Sequence, residues 1–295
     1  MTDDPLQPRL FDFLARWMAW GTCKVPRISP MRFAAEANRR RANDLPSEWF
    51  TVRADDGVEL DAVRFPAQAG EGRPPVVFCH GWTETKEFHF RLPRLLAPLG
   101  HDVILFDQRG HGRSGGKLST LGVMERHDLR AVIDEGAARG WVRDRVVTMG
   151  VSMGGAAVLM NAAADARVAG VVSYAPFTSF LDAIRSYQRR YLRLLSAEWG
   201  VRGFVQMSTR AGFDIRESSP ISVVSAVHAP VLLMVGKCDV NLPACDHAQV
   251  LADALGAGAE LVHVDHANHF NIVSEPWPEA DAALLRFLER IRNEA

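Results

Sequence analysis

Arg145-Val146-Val147-Thr148-Met149, then Gly150-Val151-Ser152-Met153-Gly154, then Gly155-Ala156-Ala157-Val158-Leu159-Met160-Asn161-Ala162-Ala163-Ala164 decides how this chain is read. The first run is apolar and β-rich, the last is alanine-rich and helical, and a serine with glycines on both sides joins them. A serine on so sharp a strand-to-helix turn takes a strained backbone conformation. Glycines flank it because a Cβ there would meet the neighbouring strand and helix. Ser152 Oγ is then left exposed at the edge of a sheet. The Met153 N–H lies in the first turn of the following helix, where unpaired donors and the helix dipole favour a developing oxyanion. G-x-S-x-G alone is a weak signal, so the rest of the chain must carry the argument.

From Trp49 onward, short β-branched runs alternate with helical stretches, which indicates an α/β fold with a mostly parallel sheet. Trp49 to Arg53 and Val58 to Phe65, joined by Ala54-Asp55-Asp56-Gly57, read as an antiparallel hairpin with a D-G turn. Buried-type strands follow at Val76 to Cys79, Val103 to Phe106, Val146 to Met149, Val168 to Ser173, Val231 to Val235 and Leu261 to Val264. Helical stretches fall near Phe88 to Leu99, Val123 to Arg139, Met153 to Ala164, Ala244 to Leu255 and Pro278 to Ile291. The alternation lapses once, between Tyr174 and Val231. There Leu181, Ile184, Tyr191, Leu194 and Leu195 keep a helical pattern, so Phe177 to Glu217 reads as a helical cap inserted into a core spanning 49–176 and 218–295. Ligands of open α/β sheets bind at the carboxyl ends of the strands, where such an insertion sits.

Composition sets bounds. The chain has 295 residues, 47% of them hydrophobic and 23% charged, enough for one large domain with an inserted piece. A net charge of −1 gives no bulk field to recruit nucleic acid. Between Asp182 and Glu217 there are seven arginines against four acids, read chiefly as a solvated face and secondarily as recognition of an anionic group. Four scattered cysteines (Cys23, Cys79, Cys238, Cys245) lack metal-type spacing and fit a reducing, cytoplasmic compartment. Met1 to Pro8 does not read as a secretory signal. Within a helical N-terminal extension over 1–48, Leu6, Leu10, Phe11, Leu14, Trp17 and Met18 share one face. That face is expected to pack on the body or on a second subunit in a homodimer; contact with a membrane surface is the lesser alternative.

A serine hydroxyl needs a base within reach and a third group to hold that base in the right tautomer. Asp239 follows the Val231 strand directly, at a carboxyl end of the sheet, and is the expected acid; Asp246 comes one helical turn too late and Asp265 is the runner-up. The stretch Val262 to Phe270 holds His263, His266 and His269 at intervals of three, a spacing that does not align side chains in a strand-to-loop segment and so argues against a metal. His269 is the expected general base, His266 its competitor, and His263 is expected to face the layers covering the sheet. In His80-Gly81-Trp82-Thr83, Gly81 permits close backbone approach and the Trp82 N–H is the second expected oxyanion donor, with His80 structural. Asp107-Gln108-Arg109-Gly110-His111-Gly112-Arg113-Ser114 lacks the spacing of a nucleotide-binding loop and is expected to brace the floor of the site.

These segments, from His80-Gly81-Trp82 through Gly150 to Gly154 and the Gly236 to Pro243 loop to Asn268-His269, resemble the α/β-hydrolase fold family over roughly Trp49 to Ile291. The resemblance implies an eight-stranded sheet with a covering cap, a Ser152/Asp239/His269 triad with Trp82 and Met153 as oxyanion amides, and no cofactor or metal. Within the family the chain is similar to capped serine hydrolases that include esterases, monoacylglycerol lipases and certain aminopeptidases. It departs from them at Asp265-His266-Ala267-Asn268, where a glycine-rich approach is usual. The implied activity is hydrolysis of a small ester or thioester through an acyl-enzyme, with peptide or amide hydrolysis second and a non-catalytic binding protein third. A serine at the elbow sets aside relatives with an aspartate nucleophile. Phe177, Tyr191, Trp199 and Phe204 suggest a hydrophobic substrate moiety, though most such residues serve to hold a cap together.

Overall fold

The computed structural model describes residues 44–68, 72–191 and 197–293, together with Gly21, Cys23 and Arg39. The expected helix over Leu6 to Trp20 lies outside the described residues.

The apolar runs form one eight-stranded sheet: β1 (Glu48–Arg53), β2 (Glu59–Phe65), β3 (Val76–Cys79), β4 (Val103–Phe106), β5 (Val146–Val151), β6 (Val168–Tyr174), β7 (Val231–Gly236) and β8 (Ala259–Val264). Their order across the sheet is β1-β2-β4-β3-β5-β6-β7-β8; the β1–β2 and β2–β4 pairs are antiparallel and the other five are parallel. The first hairpin turns at Gly57, whose φ of 84° few other residues tolerate. Four consecutive buried residues in β3 and in β4 show that both faces of the centre are covered, as a parallel sheet requires. Alternate residues serve opposite layers. Val76 and Phe78 pack with Leu92 and Leu96 of α1 (Arg91–Leu96) and Phe287 of α7 (Pro278–Asn293). Val77 and Cys79 pack with Leu129 of α2 (Glu125–Ala138), Val158 of α3 (Met153–Ala162) and Leu251 of α6 (Ala248–Leu255).

Two helical spans differ from expectation. The stretch read as one helix from Phe88 to Leu99 is a 3-10 turn at Lys86–His89, then α1, then a 3-10 turn at Ala97–Leu99. Pro98 has no N–H for the helix ladder and ends α1 one turn early. The helix expected from Ala244 begins at Ala248, because residues 243–247 form turns and His247 is held by Thr178 Oγ1 at 3.1 Å and Ser186 Oγ at 3.0 Å. Between β6 and β7 stand α4 (Phe180–Tyr191) and α5 (Ala197–Ala211). A third apolar cluster, with Phe177, Phe180, Phe204 and Met207 against Met153 and Met160, seats this pair on α3 at the carboxyl edge of the sheet.

The chain passes from β3 to β4 on one side and then crosses to β5 on the other. Such a reversal opens a crevice at the strand ends.

Candidate active site

Ser152 stands between β5 and α3 with φ 54° and ψ −114°, a conformation that disfavours any side chain and costs about 1–3 kcal/mol. Main-chain contacts hold it there. Its N–H donates to the Tyr174 carbonyl at 2.8 Å, and its own carbonyl accepts the Ala156 N–H at 2.9 Å. A Cβ on Gly150 would overlap the Gly154 carbonyl, and one on Gly154 would overlap the Cys79 and His80 carbonyl oxygens, all inside the 3.0 Å that real Cβ contacts observe. Both glycines are therefore demanded by close approach. Met153 is the first residue of α3, where helix geometry leaves the N–H without an intrahelical partner.

The loops after β7 and β8 are laced together: Lys237 N–H donates to Val264 O at 3.0 Å and Cys238 N–H to Ala267 O at 2.9 Å. This lacing brings Asp239 to His269. Asp239 Oδ1 accepts the Asn241 and Leu242 N–H groups, both at 2.9 Å, which fixes the carboxylate and leaves Oδ2 2.8 Å from His269 Nδ1. His269 Nε2 is 3.0 Å from Ser152 Oγ. Acid and imidazole are both buried. The competitors lie elsewhere: His266 is exposed at φ 61°, Asp265 pairs with Lys237 at 2.6 Å on the surface, and Asp246 pairs with Arg189 at 2.7 Å. His263 was expected under a covering layer and is exposed instead, because β8 is the edge strand.

The loop after β3 is clamped by side chains. His80 Nδ1 is 2.7 Å from the Gly81 carbonyl, and His80 Nε2 accepts the Gln108 N–H at 3.0 Å. Burial, with the His111 imidazole beside it, lowers the His80 pKa to about 3, so the ring is neutral and structural. Gly81 N–H donates to Glu84 Oε2 at 2.6 Å and Thr83 N–H to His111 Nε2 at 3.2 Å. Trp82 lies between these two anchored amides and lines the same cavity as Ser152 and Met153. Burial acts to raise the Glu84 carboxyl, but His89, with Nε2 at 3.1 Å, outweighs it, and the pKa falls to about 2.

Beneath lies a buried ion pair that sequence reasoning missed. Lys86 Nζ is 2.7 Å from Asp107 Oδ2 and 2.6 Å from Asp61 Oδ2, and the Lys86 and Arg113 N–H groups donate to the Asp107 carboxylate at 2.9 and 2.8 Å. Burial alone would neutralise both partners, yet each attracts the other strongly enough to stay charged, Lys86 above and Asp107 below its ordinary pKa. The Asp107 to Ser114 loop thus wraps a carboxylate and braces the β3 loop from below.

A cavity of about 490 Å³ opens beside Ser152, walled by Leu121, Phe177, Phe180, Ile184, Phe204 and Leu242 among others, with His269 and Glu84 at its margin. Among the described residues no group of three or more His, Cys, Asp or Glu could hold a metal ion, and no helix is long and apolar enough to cross a membrane.

Residues 70–212 match the family described as Serine aminopeptidase, S33. The uncharacterized protein YqkD of Bacillus subtilis (strain 168) is 29% identical over 172 residues, covering 57% of this chain and 56% of YqkD, so the matched stretch spans little more than half of that relative. Among solved structures, the Pyrococcus furiosus esterase Pf2001 aligns with a TM-score of 0.69 at 20% identity, covering 91% of this chain and 98% of that one. Pyrococcus horikoshii acylaminoacyl peptidase aligns with a TM-score of 0.64 at 17% identity, covering 86% and 43%. Likeness at such identities speaks for architecture rather than for activity. The strand order, the strained serine after β5 and these likenesses agree: the chain has the α/β-hydrolase fold.

Proposed function

We propose that this protein is a serine hydrolase that cleaves a small carboxylic ester or thioester with a hydrophobic moiety through an acyl-enzyme. The reading rests on one observation: Ser152 Oγ, His269 Nε2 and Nδ1, and Asp239 Oδ2 form a continuous chain with steps of 3.0 and 2.8 Å at the edge of an apolar cavity. Ser152 Oγ attacks the substrate carbonyl carbon as its proton passes to His269 Nε2. Asp239, fixed by two amides, holds Nδ1–H and stabilises the imidazolium. The oxyanion is received by the Met153 and Trp82 N–H groups, each such donor being worth about 3 kcal/mol in the transition state. His269 returns the proton to the leaving group, and water, activated by the same imidazole, releases the acyl group from Ser152. In this reading α4 and α5 act as the cap over a core of 49–176 and 218–295, and the protein works in the cytoplasm.

Intact-mass spectrometry after treatment with a fluorophosphonate tests the assignment. One adduct on the wild type and none on Ser152→Ala is expected; equal labelling of both refutes it. A second reading, cleavage of peptide or arylamide bonds by the same residues, is favoured by the match to a family described as a serine aminopeptidase. A panel pairing p-nitrophenyl esters with aminoacyl p-nitroanilides separates the two, and faster turnover of the anilides reverses the order.

A further inference from the structure

We propose that the cavity beside Ser152 selects substrates carrying an alkylammonium group on an otherwise apolar ester, with Glu84 as the counter-ion and aromatic faces as the wall. This deepens the hydrolase reading and rests on it. The composition of the lining is the starting point: Trp82, Phe177, Tyr187, Tyr191, Trp199 and Phe204 all contribute, and among the described residues no lysine or arginine lines the cavity and Glu84 is its one carboxylate. A wall of aromatic rings is indifferent to a neutral hydrocarbon beyond its area, but each ring face also attracts a cation. A carboxylate at the margin of such a wall adds a charge that a cationic group can meet.

Glu84 is held so as to offer one. Its Oε2 is occupied by the Gly81 N–H at 2.6 Å and by His89 Nε2 at 3.1 Å, while no group among the described residues hydrogen-bonds Oε1. The side chain keeps 20% of its surface accessible. It is charged at neutral pH, because the neighbouring imidazole of His89 outweighs the effect of burial. The arginines of α4 do not cancel that charge from within the cavity. Arg185 is paired with Asp182 at 2.9 Å and Glu198 at 3.1 Å, Arg189 with Asp246 at 2.7 Å, Arg190 lies 5.9 Å from the centroid of the Tyr191 ring at the rim, and none of the three lines the cavity. Glu84 also lies only two residues from Trp82, so a cation paired with it sits on the acyl-transfer side of the pocket rather than at the remote end of the insertion.

The test compares two esters that differ in one atom and one charge: choline hexanoate and its carbon isostere, 3,3-dimethylbutyl hexanoate. The wild type should favour the cationic ester by at least about tenfold in kcat/KM, the scale of a desolvated cation–π and ion-pair contact. Glu84→Gln, which keeps an oxygen for the Gly81 N–H, should bring that ratio close to one, and the ratio cancels any general loss from disturbing the loop. If Glu84→Gln does not fold, Tyr191→Leu at an exposed rim position replaces it and should lower the ratio about threefold. A wild-type ratio near one overturns the inference while leaving the hydrolase reading intact. If neither ester is hydrolysed, calorimetric titration of Ser152→Ala protein with benzyltrimethylammonium decides the matter: binding that Glu84→Gln in the same background abolishes supports it, and no binding overturns it.

Discussion

Asp239→Asn isolates the role of the acid without altering its size. The two oxygens of Asp239 do different work: Oδ1 accepts from the Asn241 and Leu242 N–H groups and Oδ2 faces His269 Nδ1 at 2.8 Å. An asparagine has one oxygen, and two backbone donors at 2.9 Å claim it. The amide nitrogen must then point at His269 and donate, so Nδ1 becomes the acceptor and the ring proton moves to Nε2. A proton on Nε2 blocks that atom, 3.0 Å from Ser152 Oγ, from receiving the serine's proton. Locking the imidazole in the wrong tautomer lowers kcat by about 10⁴-fold, about 5 kcal/mol of barrier. Because both backbone bonds survive, the fold should remain, and thermal melting should shift by only a few degrees. The assay is p-nitrophenyl ester turnover by wild type and variant, each with its fluorophosphonate labelling rate as an independent measure of Ser152 reactivity. A variant within tenfold of the wild type would refute the assignment of Asp239 and the tautomer argument with it.

Three further outcomes follow from the geometry. Lys86→Met leaves the Asp107 carboxylate buried without its ammonium, and denaturant unfolding should show a loss of about 3–5 kcal/mol, the scale for removing one partner of a buried pair; a loss below 1 kcal/mol contradicts the pairing. Gly154→Ala drives a methyl into the Cys79 and His80 carbonyls and should abolish labelling of Ser152 even in the folded fraction, so normal labelling kinetics would show that the elbow yields. The third concerns acid. His80 is neutral in the fold with a pKa lowered to about 3, so the unfolded chain binds its proton first; stability is full above the ordinary histidine value and declines as pH falls toward the lowered one. By pH 5 this group costs about 2 kcal/mol. Urea unfolding between pH 7 and pH 5 should show that slope and a shallower one in His80→Gln; equal slopes would mean another group controls the acid limb.

The readability of this chain was uneven for physical reasons. Strands β3 to β7 are near-continuous apolar runs, broken only by Thr148 in β5 and Ser173 in β6, because both faces of the sheet are covered, and such runs stand out without any partner being known. The serine, its acid and its imidazole stand at strand ends in a set order, so position along the chain stood in for position in space. Glu84 carries no local signal, since a lone glutamate near a turn is ordinarily solvated; only the fold brings Gly81 and His89 around it. Lys86 and Asp107 lie 21 residues apart on different loops, and no local pattern marks a charge destined for the interior. His263 misled because alternation predicts which side of a strand a residue takes, not whether anything covers that side at the margin. The late start of α6 came from the grip of Thr178 and Ser186 on His247, partners more than sixty residues away.

The seating of Gly154 against the carbonyls that end β3 also bears on how this protein can diverge. No side chain comes between the two turns at that joint, so their spacing is set by main-chain radii alone. Mutations at positions 82 and 153 can therefore resculpt the entrance while the amides of the same two residues hold their separation. If Ser152 acts as proposed, selection can retune what enters without having to rebuild the means of transforming it.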